Sequence, residues 1–214
     1  MPLLSQQPYK ARDFKVSGID GISDRTIQMH LGLYQGYVKN TNAVTQRLEQ
    51  FLREGWTAAP DHPEYAALTR QLGFEYGGMV LHEYYFGNLK PNGGTLDPNS
   101  RLGQTIQQSF GNIDTWMKDF RAISAMRGVG WAIMYQDPMT GLLSNHWIDL
   151  HQNGVPSGFK PILVLDAWEH AFLLDYPPAD RPKYIDAFLR NVDWSAVESR
   201  LTSEKAIRPT GEQW

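Results

Sequence analysis

The 214-residue sequence contains no cysteine, which excludes disulfides, thiolate metal sites and cysteine nucleophiles. It has no apolar run long enough to span a membrane, and its opening, "MPLLSQQPYKARDF", lacks the apolar segment of a signal peptide. It also lacks a surplus of basic residues: the formal net charge is -3, so no broad surface for nucleic acid is expected. With 42% hydrophobic and 20% charged residues, we expect a cytoplasmic globular protein without a membrane or nucleic-acid partner.

Two long helical patterns occupy the first part of the chain. The first begins after Ser23, which is a suitable N-cap, and carries apolar or aromatic residues at steps of three, four or seven up to Gly55. The second begins near Pro63, a residue that fits the first helical position. His30 lies on the first apolar stripe and His82 on the second. The pattern therefore predicts a long helical hairpin with a histidine on each inner face.

The pattern changes after about residue 90. Residues 98–111 and 112–128 read as two shorter helices, each closed by glycine, and residues 129–150 read as a β-hairpin rich in aromatic and β-branched residues. The run "ILVLD", residues 162–166, predicts a buried central strand. Closing helices follow, so the order indicates a helical part and then an α/β part.

Four polar residues fall where the pattern predicts core. His30 and His82 interrupt apolar stripes, Asp166 ends the buried strand, and His170 follows it by one short turn. A buried carboxylate or unpaired imidazole costs several kcal/mol unless something compensates it, and one metal cation would compensate all four. Three imidazoles and one carboxylate suit Zn, Fe or Mn, although the lack of thiolates argues against a structural zinc site. The alternative is that each histidine is an ordinary core residue with a local hydrogen bond.

The segments around these residues carry a family resemblance. "DAWEHAFLLDY" followed by "RPKYIDAFLRNVDW" resembles the signature of iron/manganese superoxide dismutases, Asp-x-Trp-Glu-His-Ala-Tyr-Tyr and then Arg-Pro-x-Tyr. Four further segments agree in order: "MHLGLYQGYVKNTN", "FEYGGMVLHEYYFGNLKPNGG", "FGNIDTWMKDF" and "GVGWAIMY". The resemblance covers nearly the whole chain from about residue 22.

This resemblance implies an α+β fold with two domains. Residues 1–90 would form an N-terminal helical hairpin domain, and residues 91–214 a C-terminal α/β domain with a three-stranded antiparallel sheet. It also implies that the protein converts superoxide to dioxygen and hydrogen peroxide, at one iron or manganese ion per subunit. The implied metal ligands are His30, His82, Asp166 and His170. The protein would be a homodimer, with a tetramer as the alternative, and it would act on a small anion.

The resemblance also implies roles around the metal. Tyr37 would be the gateway tyrosine. The residue that hydrogen-bonds the solvent ligand cannot come from the position four before the second histidine, which is Gly78, so we assign it to His151, with Gln152 as the alternative. Glu169 would reach across a dimer interface to the partner subunit's His170 and fix its orientation. Four aromatic residues would wall the pocket: Trp168, Trp131, Tyr85 and Phe86.

Two local departures from the family pattern belong together. The stretch "HLGLYQGY" is one residue shorter than usual and lacks the family's histidine and nearby lysine, with Leu33 and Tyr34 in their region. Phe172 and Leu173 stand where the family has two tyrosines. Both halves of one hydrogen bond across the dimer are therefore absent, which is consistent because a buried polar group left alone costs about 1–3 kcal/mol. The change affects the proton relay that is usual in the family. It also lowers the positive charge near the channel through which the substrate would reach the metal. Arg181 remains a candidate either for steering the anion or for a structural salt bridge.

Two other functions stay open at this point. One is a relative that keeps the fold but lacks the metal and has a binding or structural role. The other is a non-haem iron oxygenase, which more often has two histidines and one carboxylate. Ligand identity alone does not choose between iron and manganese, because small changes in one hydrogen bond shift the metal potential.

Overall fold

The computed structural model describes residues 7–55 and 62–202. Within these ranges no helix combines the length and hydropathy needed to cross a membrane. Residues 7–19 form an extended arm without helix or strand, and the arm leads into the first helix.

The two predicted long helices form an antiparallel hairpin. Helix α1 spans Asp24–Arg53 and α2 spans Pro63–Phe86. The side chain of Ser23 accepts a hydrogen bond from the third residue after it, and Pro63 opens α2, so both predicted starts are confirmed. Rings meet at both ends of the hairpin, His30 with His82 and Phe51 with Tyr65, which fixes the antiparallel register.

The second half contains two short helices, a sheet and two closing helices. Helices α3 and α4 each begin after a capping side chain, Ser100 and Asn112. The elements are α3 (Arg101–Phe110), α4 (Ile113–Ser124), β1 (Gly130–Gln136), β2 (Leu143–Asp149), β3 (Lys160–Asp166), α5 (Arg181–Arg190) and α6 (Trp194–Glu198). The α+β class and the three-stranded antiparallel sheet are therefore as expected.

The sheet order corrects one expectation. The order is β2-β1-β3, so β3, with its "ILVLD" run, is an edge strand, and β1, which is buried along its whole length, is central. The edge is covered because two side chains bind its free carbonyl groups: Asn88 donates to the Val164 oxygen and Arg200 donates to the Ile162 oxygen. A strand whose edge is paired in this way can be as apolar as a central one.

One apolar core joins the hairpin to the sheet. Its buried residues come from α1 and α2 as well as from all three strands and α5. The ends of α1 and α2 that carry the two stripe histidines face the carboxyl end of β3. The division near residue 90 stays a prediction, since the core continues across it.

Candidate metal centre

The four predicted ligands meet at one point. The candidate ligand atoms of His30, His82, Asp166 and His170 all lie within 4.8 Å of one another. Oδ2 of Asp166 is 3.0 Å from Nε2 of His30, 3.0 Å from Nε2 of His170 and 3.7 Å from Nε2 of His82. His30, His82 and Asp166 are buried and His170 is partly buried. Residues up to 140 positions apart in the chain thus form one polar cluster inside the core.

The end of β3 holds Asp166 in a fixed orientation. Its backbone oxygen accepts a hydrogen bond of 2.7 Å from the hydroxyl of Tyr184, and its Oδ1 accepts one of 2.8 Å from the backbone N–H of Trp168. A short 3-10 turn, Glu169–Ala171, then brings His170 back towards the strand end. Oδ2 is therefore the carboxylate oxygen that remains directed at the histidines.

The hydrogen bonds of His82 make it a lone-pair donor towards the cluster. Its Nδ1 lies 2.6 Å from the carbonyl oxygen of Gly78, and because a carbonyl only accepts, Nδ1 carries the proton. Its Nε2 is buried and has no hydrogen-bond partner among the described residues. Burial, and then the neighbouring His30, lower the pKa of His82 well below its usual value. A cation at the centre of the cluster would bind the lone pair of this nitrogen. The set of donor atoms therefore fits a metal ion.

Asp166 is charged within this buried cluster. Burial alone would raise the pKa of its carboxyl, but His170 and His30 together outweigh burial and hold that pKa well below its usual range. Burial likewise lowers the pKa of His30, against the opposing effect of Asp166. A charged Asp166 and neutral imidazoles at His30 and His82 are protonation states that metal binding requires.

A directed hydrogen-bond chain runs beside the cluster. The indole N–H of Trp131 donates to Nδ1 of His151 over 3.0 Å, and since indole nitrogen is a donor only, Nδ1 must accept. Neutral His151 therefore has its proton on Nε2, which lies 2.8 Å from the hydroxyl oxygen of Tyr37. Burial lowers the pKa of His151 to about 4 and so keeps the ring neutral. The Tyr37 hydroxyl accepts from His151, and its own proton remains available to a further acceptor.

The contact between α1 and α2 leaves no room for a side chain at position 78, the position that the sequence analysis set aside in favour of His151. A Cβ built on Gly78 would lie 2.6 Å from Cδ1 of Tyr37, so the ring of Tyr37 fills the space that a side chain at position 78 would need. His151 follows β2 and brings its imidazole to the opposite side of Tyr37, with ring centroids 4.7 Å apart. Gln152, the alternative, instead accepts a hydrogen bond from the backbone N–H of His151.

The four aromatic residues expected to wall the pocket each have a ring contact with one of the predicted ligands. Centroid distances from the ligand rings are 4.9 Å for Tyr85 to His30, 5.0 Å for Phe86 to His30, 5.1 Å for Trp131 to His82 and 5.6 Å for Trp168 to His170. Trp168 also stacks on His151 at 4.7 Å. These contacts leave the cluster walled by rings on several sides.

Two residues lie outside this arrangement. Glu169 is exposed. Arg181 donates to the Met126 carbonyl oxygen, while its Nε and Nη2 are buried and have no hydrogen-bond partner in the described chain. Arg181 also makes no ion pair with any described residue, so the structural salt bridge considered for it is not formed among them.

The sequence patterns did not predict a polar network that joins the N-terminal arm to α1 and α2. The hydroxyl of Tyr34 donates to Oε1 of Glu83 over 3.0 Å and accepts from the backbone N–H of Arg12 over 2.8 Å. Arg12 in turn pairs with Oε2 of Glu83 at 3.0 Å. The position of Tyr34, one helical turn after His30, is a signal for an inward-facing hydroxyl, but nothing local in the sequence points to Arg12.

Comparison with known proteins gives concordant matches. The family model for "Iron/manganese superoxide dismutases, C-terminal domain" matches residues 98–200. The chain is 36% identical to "Superoxide dismutase [Fe]" of Aquifex pyrophilus over 196 residues, 91% of this chain and 90% of that protein. It is 32% identical to "Superoxide dismutase [Mn] 2" of Haloferax volcanii over 187 residues, 87% and 89% of the two chains. It is 36% identical to "Superoxide dismutase [Fe]" of Methanothermobacter thermautotrophicus over 177 residues, 80% and 82%.

Proposed function

The chain belongs to the iron/manganese superoxide dismutase family, and from this premise we propose that it converts two superoxide ions and two protons to dioxygen and hydrogen peroxide. The observation that carries the proposal is the convergence of His30, His82, Asp166 and His170 on one buried point, where Nε2 of His82 has no other partner in the described chain. These four side chains would hold one iron or manganese ion. The bound ion supplies one-electron redox chemistry between its +2 and +3 states.

The chain's own residues would place the protons. The second superoxide needs two protons to become hydrogen peroxide, and buried carboxylates or imidazoles at the centre are occupied as ligands. We propose Tyr37 and His151 as the catalytic residues, supported by the directed chain from Trp131 through His151 to Tyr37. Burial raises the pKa of Tyr37 to about 12, with smaller effects of Asp166 and Glu75, so its hydroxyl proton is present at neutral pH. The proton can be donated to a species in the pocket and replaced through solvent.

Assembly into a homodimer is part of the proposal. Glu169 and three leucines are exposed in the single chain, and each lies within four positions of a predicted ligand in the sequence: Leu33, Leu173 and Leu174. Exposed apolar side chains close to an exposed acid are typical of a surface that a second copy covers. Glu169 would then orient the partner subunit's His170. The cytoplasmic location stays a prediction from composition.

The two rival functions account less well for the site. A metal-free relative would have no need to keep three imidazoles and a charged carboxylate within 4.8 Å in a buried cluster. A non-haem oxygenase site uses two histidines and one carboxylate and leaves several coordination positions open. Here a third histidine is present and aromatic rings close the walls.

Metal content and superoxide decay test the proposal together. We would reload purified protein separately with iron and manganese, measure bound metal by elemental analysis, and follow superoxide decay by stopped flow. Asp166→Asn should lose both metal and turnover. The matched control Asp149→Asn, at the exposed end of the neighbouring strand β2, should keep both. Protein that binds no metal in either form would contradict the proposal, and so would metal-loaded protein that leaves superoxide decay at its uncatalysed rate.

A further inference from the structure

A cavity lies between the N-terminal arm and the outer face of α2, on the side of that helix away from the metal centre. Its volume is about 610 Å³, and none of the predicted metal-site residues lines it. Tyr9 and Phe14 of the arm form one wall, and Tyr76 and Tyr84 of α2 form the other. Sites for small molecules commonly have volumes of about 300–1,000 Å³. The cavity is therefore large enough for a small organic ligand.

The charges that line this cavity are mostly positive, although the whole chain has a net charge of -3. Three cations and one carboxylate line it: Lys10, Arg12, Arg200 and Glu83. Arg12 and Glu83 form an ion pair at 3.0 Å and largely cancel each other. Lys10 is exposed and has no ion pair within the described chain. Lys10 and Arg200 thus remain as the two lining cations without an ion pair among the described residues.

Arg200 is a half-buried guanidinium without a carboxylate partner. It donates to the side-chain oxygen of Asn88 and to the Ile162 carbonyl, and it lies over the ring of Tyr84 at 4.9 Å. All of these partners are neutral, and Arg200 forms no ion pair with a described residue. Burial lowers the pKa of Arg200, which the fields of Tyr84 and Asp193 oppose. A guanidinium held at the wall of a cavity with only neutral partners favours an anion there, and phosphate suits its geometry.

The aromatic side chains offer a place for a ring. Tyr9 and Tyr76 meet edge to face with centroids 5.9 Å apart, and Tyr76 is 44% exposed. An exposed tyrosine ring beside a cavity is a stacking surface, and nucleobases stack on such rings with little dependence on which base it is. The ring surface and the two cations line the same cavity.

We propose that this cavity binds a small molecule that carries both a planar ring and a phosphate group, of the size of a nucleoside monophosphate. The phosphate lies against Lys10 and Arg200, and the ring lies against Tyr9 and Tyr76. This binding goes beyond the proposed function and does not depend on it, because no metal-site residue takes part.

Titration calorimetry on the metal-loaded full-length protein tests the proposal with three probes. Adenosine 5′-monophosphate carries both groups, adenosine carries only the ring, and inorganic phosphate carries only the anion. Adenosine monophosphate should bind saturably, and each of the other two should bind at least about tenfold more weakly, which corresponds to about 1.4 kcal/mol. No saturable binding of the monophosphate at millimolar concentration would overturn the proposal. Equal affinity for all three probes would overturn it as well.

Variants locate the binding in this cavity. Lys10→Gln and Tyr76→Leu should each weaken binding of the monophosphate about tenfold, because one removes an anion contact and the other a ring contact. Lys118→Gln, at an exposed lysine of α4, is the matched control and should leave the affinity unchanged. Superoxide decay, measured on the same samples, should not change in any variant. An equal loss of affinity in the control, or no loss in the two cavity variants, would contradict the assignment.

Discussion

The hydroxyl oxygen of Tyr37 lies 2.8 Å from Nε2 of His151, and the two residues are 114 positions apart in the chain. The contact joins α1 to the turn after β2 at the edge of the metal centre. Because Trp131 donates to the other nitrogen of His151, the direction of the whole chain is fixed without any charged group. The contact therefore leaves the Tyr37 proton directed away from His151.

Replacing Tyr37 with phenylalanine should slow turnover without removing the metal. The hydroxyl is the last group of the chain and the one whose proton is free, so we expect superoxide turnover to fall about tenfold, less than the 10²–10⁴ typical of a full general acid. Stopped-flow decay at high superoxide concentration and elemental analysis measure the two effects. Tyr65→Phe, on the same hairpin but at its far end, is the control. Unchanged turnover in Tyr37→Phe would remove Tyr37 from the mechanism.

His151 should make the protein sensitive to acid. Its folded-state pKa of about 4 lies below the value of about 6.5 for an unfolded histidine, so between these pH values the unfolded chain binds a proton that the folded chain does not. The associated stability is fully present above about pH 6.5 and is lost as the pH falls towards 4, about 3 kcal/mol in total. When the pH is lowered from 7 to 4, the free energy of unfolding measured in urea should fall by this amount more for wild type than for His151→Gln. Parallel stability curves for the two proteins would contradict the prediction.

Tyr34→Phe should destabilise the fold. The hydroxyl of Tyr34 makes two hydrogen bonds, to Glu83 and from the Arg12 backbone, and its loss leaves partly buried partners unsatisfied. We expect the free energy of unfolding to fall by about 1–3 kcal/mol, measured by urea unfolding at pH 7. Tyr65→Phe serves again as the comparison. A loss no larger than that of the comparison would mean that the network adds no stability.

The exposed leucines proposed to meet a second copy, Leu33, Leu173 and Leu174, should determine the oligomeric state. Leu173 is 41% exposed in the single chain, and Leu142, on the β1–β2 turn, is 37% exposed. Leu173→Asp places a charge on the surface proposed to meet the second copy and should give monomers in sedimentation velocity. Leu142→Asp should leave the dimer intact. A wild-type protein that sediments as a monomer would contradict the proposed assembly directly.

Much of the site could be predicted from the sequence because its ligands interrupt strong periodic patterns. His30 and His82 stand out as imidazoles on apolar helical faces, and Asp166 as a carboxylate that ends an apolar run. Such residues are conspicuous because burial of polar groups demands compensation. The helix starts at Ser23 and Pro63 could be predicted for a similar reason, since capping chemistry is local.

Features that depend on distant partners could not be predicted. The apolar run of β3 is typical of a central strand, and only the bonds from Asn88 and Arg200 to its carbonyl groups show how an edge can carry it. The network of Tyr34, Glu83 and Arg12 likewise joins three segments that no periodicity relates. The sequence contains the donors and acceptors, but the pairing follows from the packing of the arm against the hairpin.

Because position 78 is a glycine, the residues of α1 and α2 that meet there cannot be changed independently of each other. Because the Tyr37 ring occupies the volume over that glycine, even an added methyl group would act as a wedge and displace the ring from His151. Positions 37, 78 and 151 are therefore one combinatorial unit. In a library that varies these positions one at a time, most variants would lose the contact between positions 37 and 151. A library that exchanges all three together would allow a side chain at position 78 of α2 to replace the imidazole at position 151.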